Sequence, residues 1–257
     1  MNVLSIQSAV TYGHVGNSAA LLSLQRLGHD VWPVNTVTFS NHPAHGGFRG
    51  RVTPPAEVAE LIRGVEERGA FARCDAVVSG YLGEAGTAAV VLDAVRRIRA
   101  ANSRLLYCCD PVIGETHAGI YVRPGVPEAI RDRLVPAADL VKPNAFELGY
   151  LTGGPVATLD DAPDRLGVLL VGPDAAWLAR TPRRRVPSHG AGDAFTALFV
   201  GVYLKSRDAA AALAHAVSAL DAILAETERT GARDLALVAS QDALAHPPTL
   251  LPVSRLR

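Results

Sequence analysis

Runs of aliphatic and β-branched residues, each only a few residues long, alternate along this chain with stretches of helical spacing. That alternation limits the possible folds more than any single motif does. Residues 3–6 read as a first strand, followed by a Gly/Ser/Tyr turn and a helix over 17–27. Residues 31–39 are extended and are expected to form two short strands. Pro54-Pro55 opens a helix reaching residue 69, proline being favoured in a first helical turn. A strand follows over 76–79, a helix over 84–101, a strand over 105–109 ending at Asp110-Pro111, and a short strand over 140–142 closed by Pro143. Strand–helix–strand units of this kind build a mostly parallel sheet with helices on both faces, an α/β/α sandwich of three layers. In such sheets ligands lie beyond the carboxyl ends of the strands. Ser8, Asn41, Tyr81, Asp110 and Asn144 each follow an apolar strand, so chemistry is expected at that end.

The chain has 257 residues, 49% of them hydrophobic, with a formal net charge of zero. This is enough to bury one large core, and a single domain over 1–257 is expected. Balanced charge argues against a nucleic-acid or membrane-surface partner. The longest apolar stretch, 209–225, is interrupted by His215, Ser218 and Asp221, which suits a packed helix better than a membrane span. Met1 leads straight into a strand pattern with no secretory leader, and Cys74, Cys108 and Cys109 make neither a disulfide framework nor a metal spacing. A soluble, cytoplasmic enzyme fits these features.

The segment Gly190-Ala191-Gly192-Asp193-Ala194-Phe195 has the make-up of an anion cradle with a base attached. Two glycines let the backbone come close to a ligand, and the apolar run 194–204 reads as a buried helix. The first N–H groups of a helix lack carbonyl partners, and its dipole favours phosphate oxygens there. Asp193 stands where a carboxylate can accept the proton of an attacking alcohol. A glycine-rich loop whose aspartate only caps a helix would look the same.

Other segments decide between these readings: Ile6-Gln7-Ser8, Gly13-His14-Val15-Gly16-Asn17, Asn35-Thr36-Val37-Thr38-Phe39-Ser40-Asn41-His42, Ser79-Gly80-Tyr81, Cys109-Asp110-Pro111-Val112-Ile113-Gly114 and Pro143-Asn144-Ala145-Phe146-Glu147. Together with the Gly190–Asp193 loop, and in this order, they resemble the ribokinase-like superfamily and, within it, the pyridoxal kinases. The resemblance implies ATP-dependent phosphorylation of the 5′-hydroxymethyl group of pyridoxal, pyridoxine or pyridoxamine. It also implies Mg2+, a monovalent cation such as K+, and a homodimer. It assigns Asp193 as the base and the amides of Gly190, Ala191 and Gly192 as the anion hole. Ser8, Val15, His42, Tyr81 and Tyr121 would contact the vitamin. Asp110, Glu115, Asn144 and Glu147 would surround the phosphates, with Asp110 and Glu147 nearest the metal.

Each residue also has a plainer role open to it. Asp110-Pro111 could be a strand-ending turn, Asn144 and Glu147 a helix cap with its first-turn charge, and His42 a loop histidine. Tyr81 and Tyr121 could be half-buried aromatics, Ser8 a backbone partner, and Arg183-Arg184-Arg185 a solvated loop. Lys142 is either a phosphate-binding charge or a solvated one.

Two departures from the family pattern stand out. Pro43 occupies the place where pyridoxal kinases commonly carry a threonine that bonds the pyridine ring, and proline has neither hydroxyl nor N–H. A hydroxymethylpyrimidine or other heteroaromatic-alcohol kinase is therefore the nearest alternative. The second departure lies near 162–163. Thr158-Leu159-Asp160-Asp161-Ala162 reads as a helix start, yet Pro163-Asp164-Arg165-Leu166 already reads as the next β segment, and a parallel crossover needs a dozen residues or more. A smaller loss is expected over 183–189. Residues absent from the sequence explain this better than a true deletion, which would expose two sheet edges. A true deletion would favour a pyridoxal-binding protein without turnover.

Overall fold

The computed structural model describes residues 1–154, 156 and 165–257. The break expected near 162–163 lies outside the described residues. The chain divides into two compact units, one formed by 1–18 and 30–156, the other by 19–29 and 157–257.

The first unit is built on a six-stranded sheet. In chain order, β1 (Asn2–Tyr12), β2 (Asp30–Asn41), β3 (Gly50–Val52), β4 (Cys74–Ser79) and β5 (Leu106–Cys109) lead into a small hairpin of β6 (Gly114–Glu115) and β7 (Gly119–Ile120). The last strand of the sheet is β8 (Leu140–Val141). The order is β3-β2-β1-β4-β5-β8. All neighbours pair in parallel except β3, which runs antiparallel to β2. Val3, Leu4, Ser5, Ile6 and Gln7 are successive and all buried, so β1 is covered on both faces, as expected of a central parallel strand.

The two short strands expected over 31–39 are a single strand, β2. Pro33 is tolerated inside it because β3 covers only Val37–Phe39, which leaves β2 an edge strand at Pro33.

Helix α1 (Asn17–Arg26) begins in the first unit and continues in the second. The first unit also holds α2 (Pro55–Glu67), α3 (Gly86–Ala101), α4 (Val126–Ala129), α5 (Val135–Ala137) and α6 (Ala145–Thr152), with a π-helical turn, Ile130–Leu134, joining α4 to α5. Val58, Ile62, Val91, Val95 and Ile98 from α2 and α3 share one buried cluster with Leu4, Ile6, Val77 and Tyr107 from the strands. Each fully buried aliphatic side chain contributes about 1.5–3 kcal/mol.

In the second unit, β9 (Arg165–Val171), β10 (Ala176–Pro182) and β11 (Val253–Arg255) form an antiparallel sheet in the order β11-β10-β9. The turn between β9 and β10 starts at Gly172-Pro173 and closes through Gly172 N–H on Ala175 O at 2.8 Å. Helices α7 (Ala191–Ser206), α8 (Ala209–Thr230) and α9 (Gln241–Ala245) complete this unit. Residues 194–201 and Leu204 are buried, as the apolar run predicts. Among the described residues α8 is the one helix long and apolar enough to cross a membrane. It packs instead on α7 and β10, burying Ala212, Leu213, Ala216, Val217 and Ile223.

Candidate active site

The carboxyl ends of β5 and β8 carry a buried charge cluster. Register pairs Cys109 with Val141, so the residues that follow each of them, Asp110 and Lys142, come out side by side. Lys142 Nζ lies 2.9 Å from Asp110 Oδ2, and Asp110 is only 3% exposed. Lys142 is thus a charge partner of Asp110 rather than a solvated lysine. Two residues further on, α6 starts with a capping box. Asn144 Oδ1 accepts from Glu147 N–H at 2.9 Å, and Glu147 Oε2 accepts from Asn144 N–H at 2.9 Å. Glu147 Oε1 accepts from Ile113 N–H at 3.0 Å, and Asn144 Nδ2 donates to Gly114 O at 2.9 Å. These bonds fasten the loop after β5 to the start of α6. Burial pushes the Glu147 carboxyl up to about 7; the N–H of Asn144 and of Ile113 and the Lys142 charge oppose the shift, and Asp110 adds to it.

Beside this cluster Glu115 sits exposed on the β6–β7 hairpin, and Tyr121 is 48% exposed just beyond it. Among the described residues no group of three or more His, Cys, Asp or Glu is placed to hold a metal ion. Both Glu147 oxygens accept backbone N–H groups, and Asp110 is paired with Lys142. A cation held at such carboxylates keeps waters and phosphate oxygens among its ligands.

Ser8 lies inside β1, which runs on to Tyr12 past the expected 3–6, and meets the loop before α1. Gly16 has φ +54°, and a Cβ there would stand 2.2 Å from Ser8 O and 2.3 Å from Ser8 Oγ. Only glycine allows this approach. Val15 is 7% exposed. Tyr81 follows β4, half-buried, with its carbonyl accepting from Thr36 Oγ1 at 2.5 Å. Burial raises the Tyr81 phenol above its ordinary value against the pull of Arg123. His42 caps a short 3₁₀ turn, Pro43–His45, its Nδ1 accepting from Ala44 N–H at 3.3 Å. Pro43 has a local reason: it fills the first position of that turn, where no N–H is needed.

In the second unit, α7 begins at Gly190 in the left-handed region, φ +84°, with no side-chain cap. Ala191 N–H donates to Ser188 O at 2.9 Å, and Ala194 N–H to Gly190 O at 2.9 Å. The Ala191 amide, expected in the anion hole, is therefore engaged within the loop. Asp193 is the third helical residue, half-buried, in the first turn where the dipole favours negative charge. A cavity of about 140 Å³ opens next to this turn, with Val168, Val186, Phe195, Leu220 and Leu224 among its apolar walls and Asp221 at its rim. Arg184 holds Asp221 through Nε–Oδ1 at 3.0 Å and Nη2–Oδ2 at 3.3 Å, and Glu228 through Nη1 at 3.0 Å. Thr181 Oγ1 adds a bond to Asp221 Oδ1 at 2.9 Å. The arginine run is not uniformly solvated: its middle member is anchored, while Arg183 and Arg185 are exposed.

The sequence profile of the family described as phosphomethylpyrimidine kinase matches residues 31–171. The pyridoxal kinase of Rubrobacter xylanophilus is 45% identical over all of this chain and 98% of its own length. That of Corynebacterium diphtheriae is 44% identical over 96% of each. The chain belongs to the pyridoxal kinase family. The pyridoxal kinase from Leishmania donovani, solved with ADP and pyridoxamine, superposes with a TM-score of 0.93 at 29% identity, covering 100% of this chain and 99% of that one. The fold is the ribokinase-like α/β fold expected from the motifs. Alignment with the Rubrobacter kinase runs over 283 positions against 257 residues here, so at least 26 positions of this family member are gaps.

Within the first unit the structure places the Asp110–Lys142 ion pair beside the hydrogen-bonded Asn144–Glu147 capping box, and sets Ser8 against the Val15-Gly16 loop. Gly190, Ala191, Gly192 and Asp193 share the first turn of α7 in the second. Sequence reasoning missed the Asp221–Arg184 pair and its cavity, and the bond from Thr36 to Tyr81. The first links residues 37 apart and the second residues 45 apart, and no local pattern announces such partners.

Proposed function

We propose that this chain transfers the γ-phosphoryl group of ATP to the 5′-hydroxymethyl oxygen of pyridoxal, pyridoxine or pyridoxamine. The observation that carries this reading is the start of α7: a left-handed Gly190 followed by Asp193 in the first turn. As the new O–P bond forms and the bond from the γ-phosphorus to the β–γ bridging oxygen breaks, ADP leaves and Asp193 takes the hydroxyl proton. First-turn N–H groups of α7, among them those of Gly190 and Gly192, stabilise the charge on the moving phosphoryl oxygens. Ala191 joins them by exchanging its bond to Ser188 O for one to phosphate.

The apolar cavity beside α7 suits the flat face of adenine, with Asp221 as a rim acceptor. Ser8, Val15, Tyr81, His42 and Tyr121 are assigned to the vitamer. Asp110 would hold Mg2+, with Asn144, Glu147 and Glu115 as the surrounding frame, and the ion would supply charge neutralisation at the phosphates. A monovalent cation such as K+, a homodimer, a cytoplasmic location and one kinase domain over 1–257 belong to the same reading.

A second reading, a hydroxymethylpyrimidine kinase, is favoured by the family profile and by Pro43. A coupled ADP-release assay over the three vitamers and hydroxymethylpyrimidine separates them. Turnover of a vitamer with phosphate found on the 5′-oxygen is the expected result. Turnover of the pyrimidine alone would transfer the assignment to it. Pyridoxal binding without any ADP release would leave a binding protein.

A further inference from the structure

We infer that Thr36 is a positioning residue for the vitamer pocket, holding Tyr81 through its main chain with a buried Asn17 clamp behind it; this rests on the assignment of Tyr81 and Ser8 to the vitamer. Strands β1 and β2 pair in step from Asn2↔Asp30 to Gln7↔Asn35, then resume at Ala9↔Thr38. Two residues of β2, Thr36 and Val37, therefore oppose the single residue Ser8. Such a bulge re-aims the side chains around it.

Thr36 is fully buried and joined to three segments at this point. Its hydroxyl donates to Tyr81 O at 2.5 Å, its carbonyl accepts from Thr53 N–H at 2.9 Å, and its strand neighbours belong to the slip. Asn17, 4% exposed, ties both strands just before the slip. Its Nδ2 donates to Asn35 Oδ1 at 2.8 Å and to Val34 O at 3.2 Å, with Ser5 O and Gln7 O at 3.4 and 3.5 Å. Its Oδ1 accepts from Ser5 Oγ at 2.7 Å, and Ser5 Oγ in turn accepts from Gln7 Nε2 at 2.9 Å.

Polar groups this deep carry a desolvation cost that apolar residues would avoid. Valine has the shape and strand preference of threonine and would serve a merely stable strand pair better. What the hydroxyl adds is one bond to the carbonyl of the residue assigned to the vitamer ring. The slip, the clamp and that bond together fix the relation of β1, β2 and the turn after β4.

Thr36→Val removes that bond and little else; Thr36→Ser keeps it. In the ADP-release assay Thr36→Val is expected to raise the pyridoxal KM about tenfold, the size of one lost buried hydrogen bond, with the ATP KM unchanged. Thr36→Ser should return it to within about twofold of wild type. Calorimetric titration with pyridoxal reads the same shift without turnover. A pyridoxal KM and affinity unchanged in Thr36→Val, a parallel rise in both KM values, or no recovery in Thr36→Ser would overturn the positioning role and leave the kinase assignment standing. A wild-type protein that neither binds nor phosphorylates pyridoxal would remove the kinase assignment and the positioning role with it.

Discussion

Glu147 makes stability depend on pH in a direction opposite to most carboxylates. It is 2% exposed, and burial raises its carboxyl from 4.5 to about 7 even though both oxygens accept backbone N–H groups. The folded chain therefore keeps a proton on Glu147 over a range in which the unfolded chain has lost it. Stability from this group is fully present below the ordinary glutamate value, falls as pH rises from there to about 7, and is flat above. At 1.36 kcal/mol per pKa unit the total loss is about 3 kcal/mol, of which about 2.5 kcal/mol falls between pH 5 and pH 8.

Glu147→Gln isolates this contribution, because the amide does not titrate and has nearly the same shape. It exchanges one acceptor for a donor against Asn144 N–H or Ile113 N–H, a pH-independent cost of about 1–3 kcal/mol. Urea unfolding of both proteins at pH 5 and pH 8 gives the double difference. The advantage of wild type over Glu147→Gln should shrink by about 2.5 kcal/mol at the higher pH. An advantage constant to within about 0.5 kcal/mol would mean that Glu147 is ionised throughout and that its N–H partners outweigh its burial.

Asp193→Ala should lower kcat by about 10²–10⁴ with the vitamer affinity nearly unchanged; wild-type turnover in that variant would remove Asp193 as the base. Arg184→Ala leaves Asp221 without its paired cation, and a several-fold rise in the ATP KM with a constant vitamer KM is expected. Equal effects on both substrates would detach the cavity from the nucleotide. Gly16→Ala drives a Cβ to 2.2 Å from Ser8 O at a φ of +54°, so the unfolding free energy should fall by about 1–3 kcal/mol and the pyridoxal KM should rise. A fully stable Gly16→Ala with wild-type KM would show that the Ser8 contact is dispensable.

The parallel sheet was readable because hydrophobic pattern and turn residues agree segment by segment. The capping box was readable too, since Asn144 and Glu147 stand at the required spacing. Partners fixed by pairing were not. Lys142 left both a phosphate-binding and a solvated role open until the register set Cys109 against Val141; from that register its contact with Asp110 follows directly. A slip of one residue in β8 would turn Lys142 to the opposite face and leave Asp110 without this cation. The same holds for Thr36, whose identity gives no hint of a bulge, because a bulge is a property of two strands and not of either sequence alone. Residue type, read from the chain, thus names the chemistry available at a strand end, while register decides which of those groups meet, and with them whether Asp110 is presented as a paired or an isolated charge.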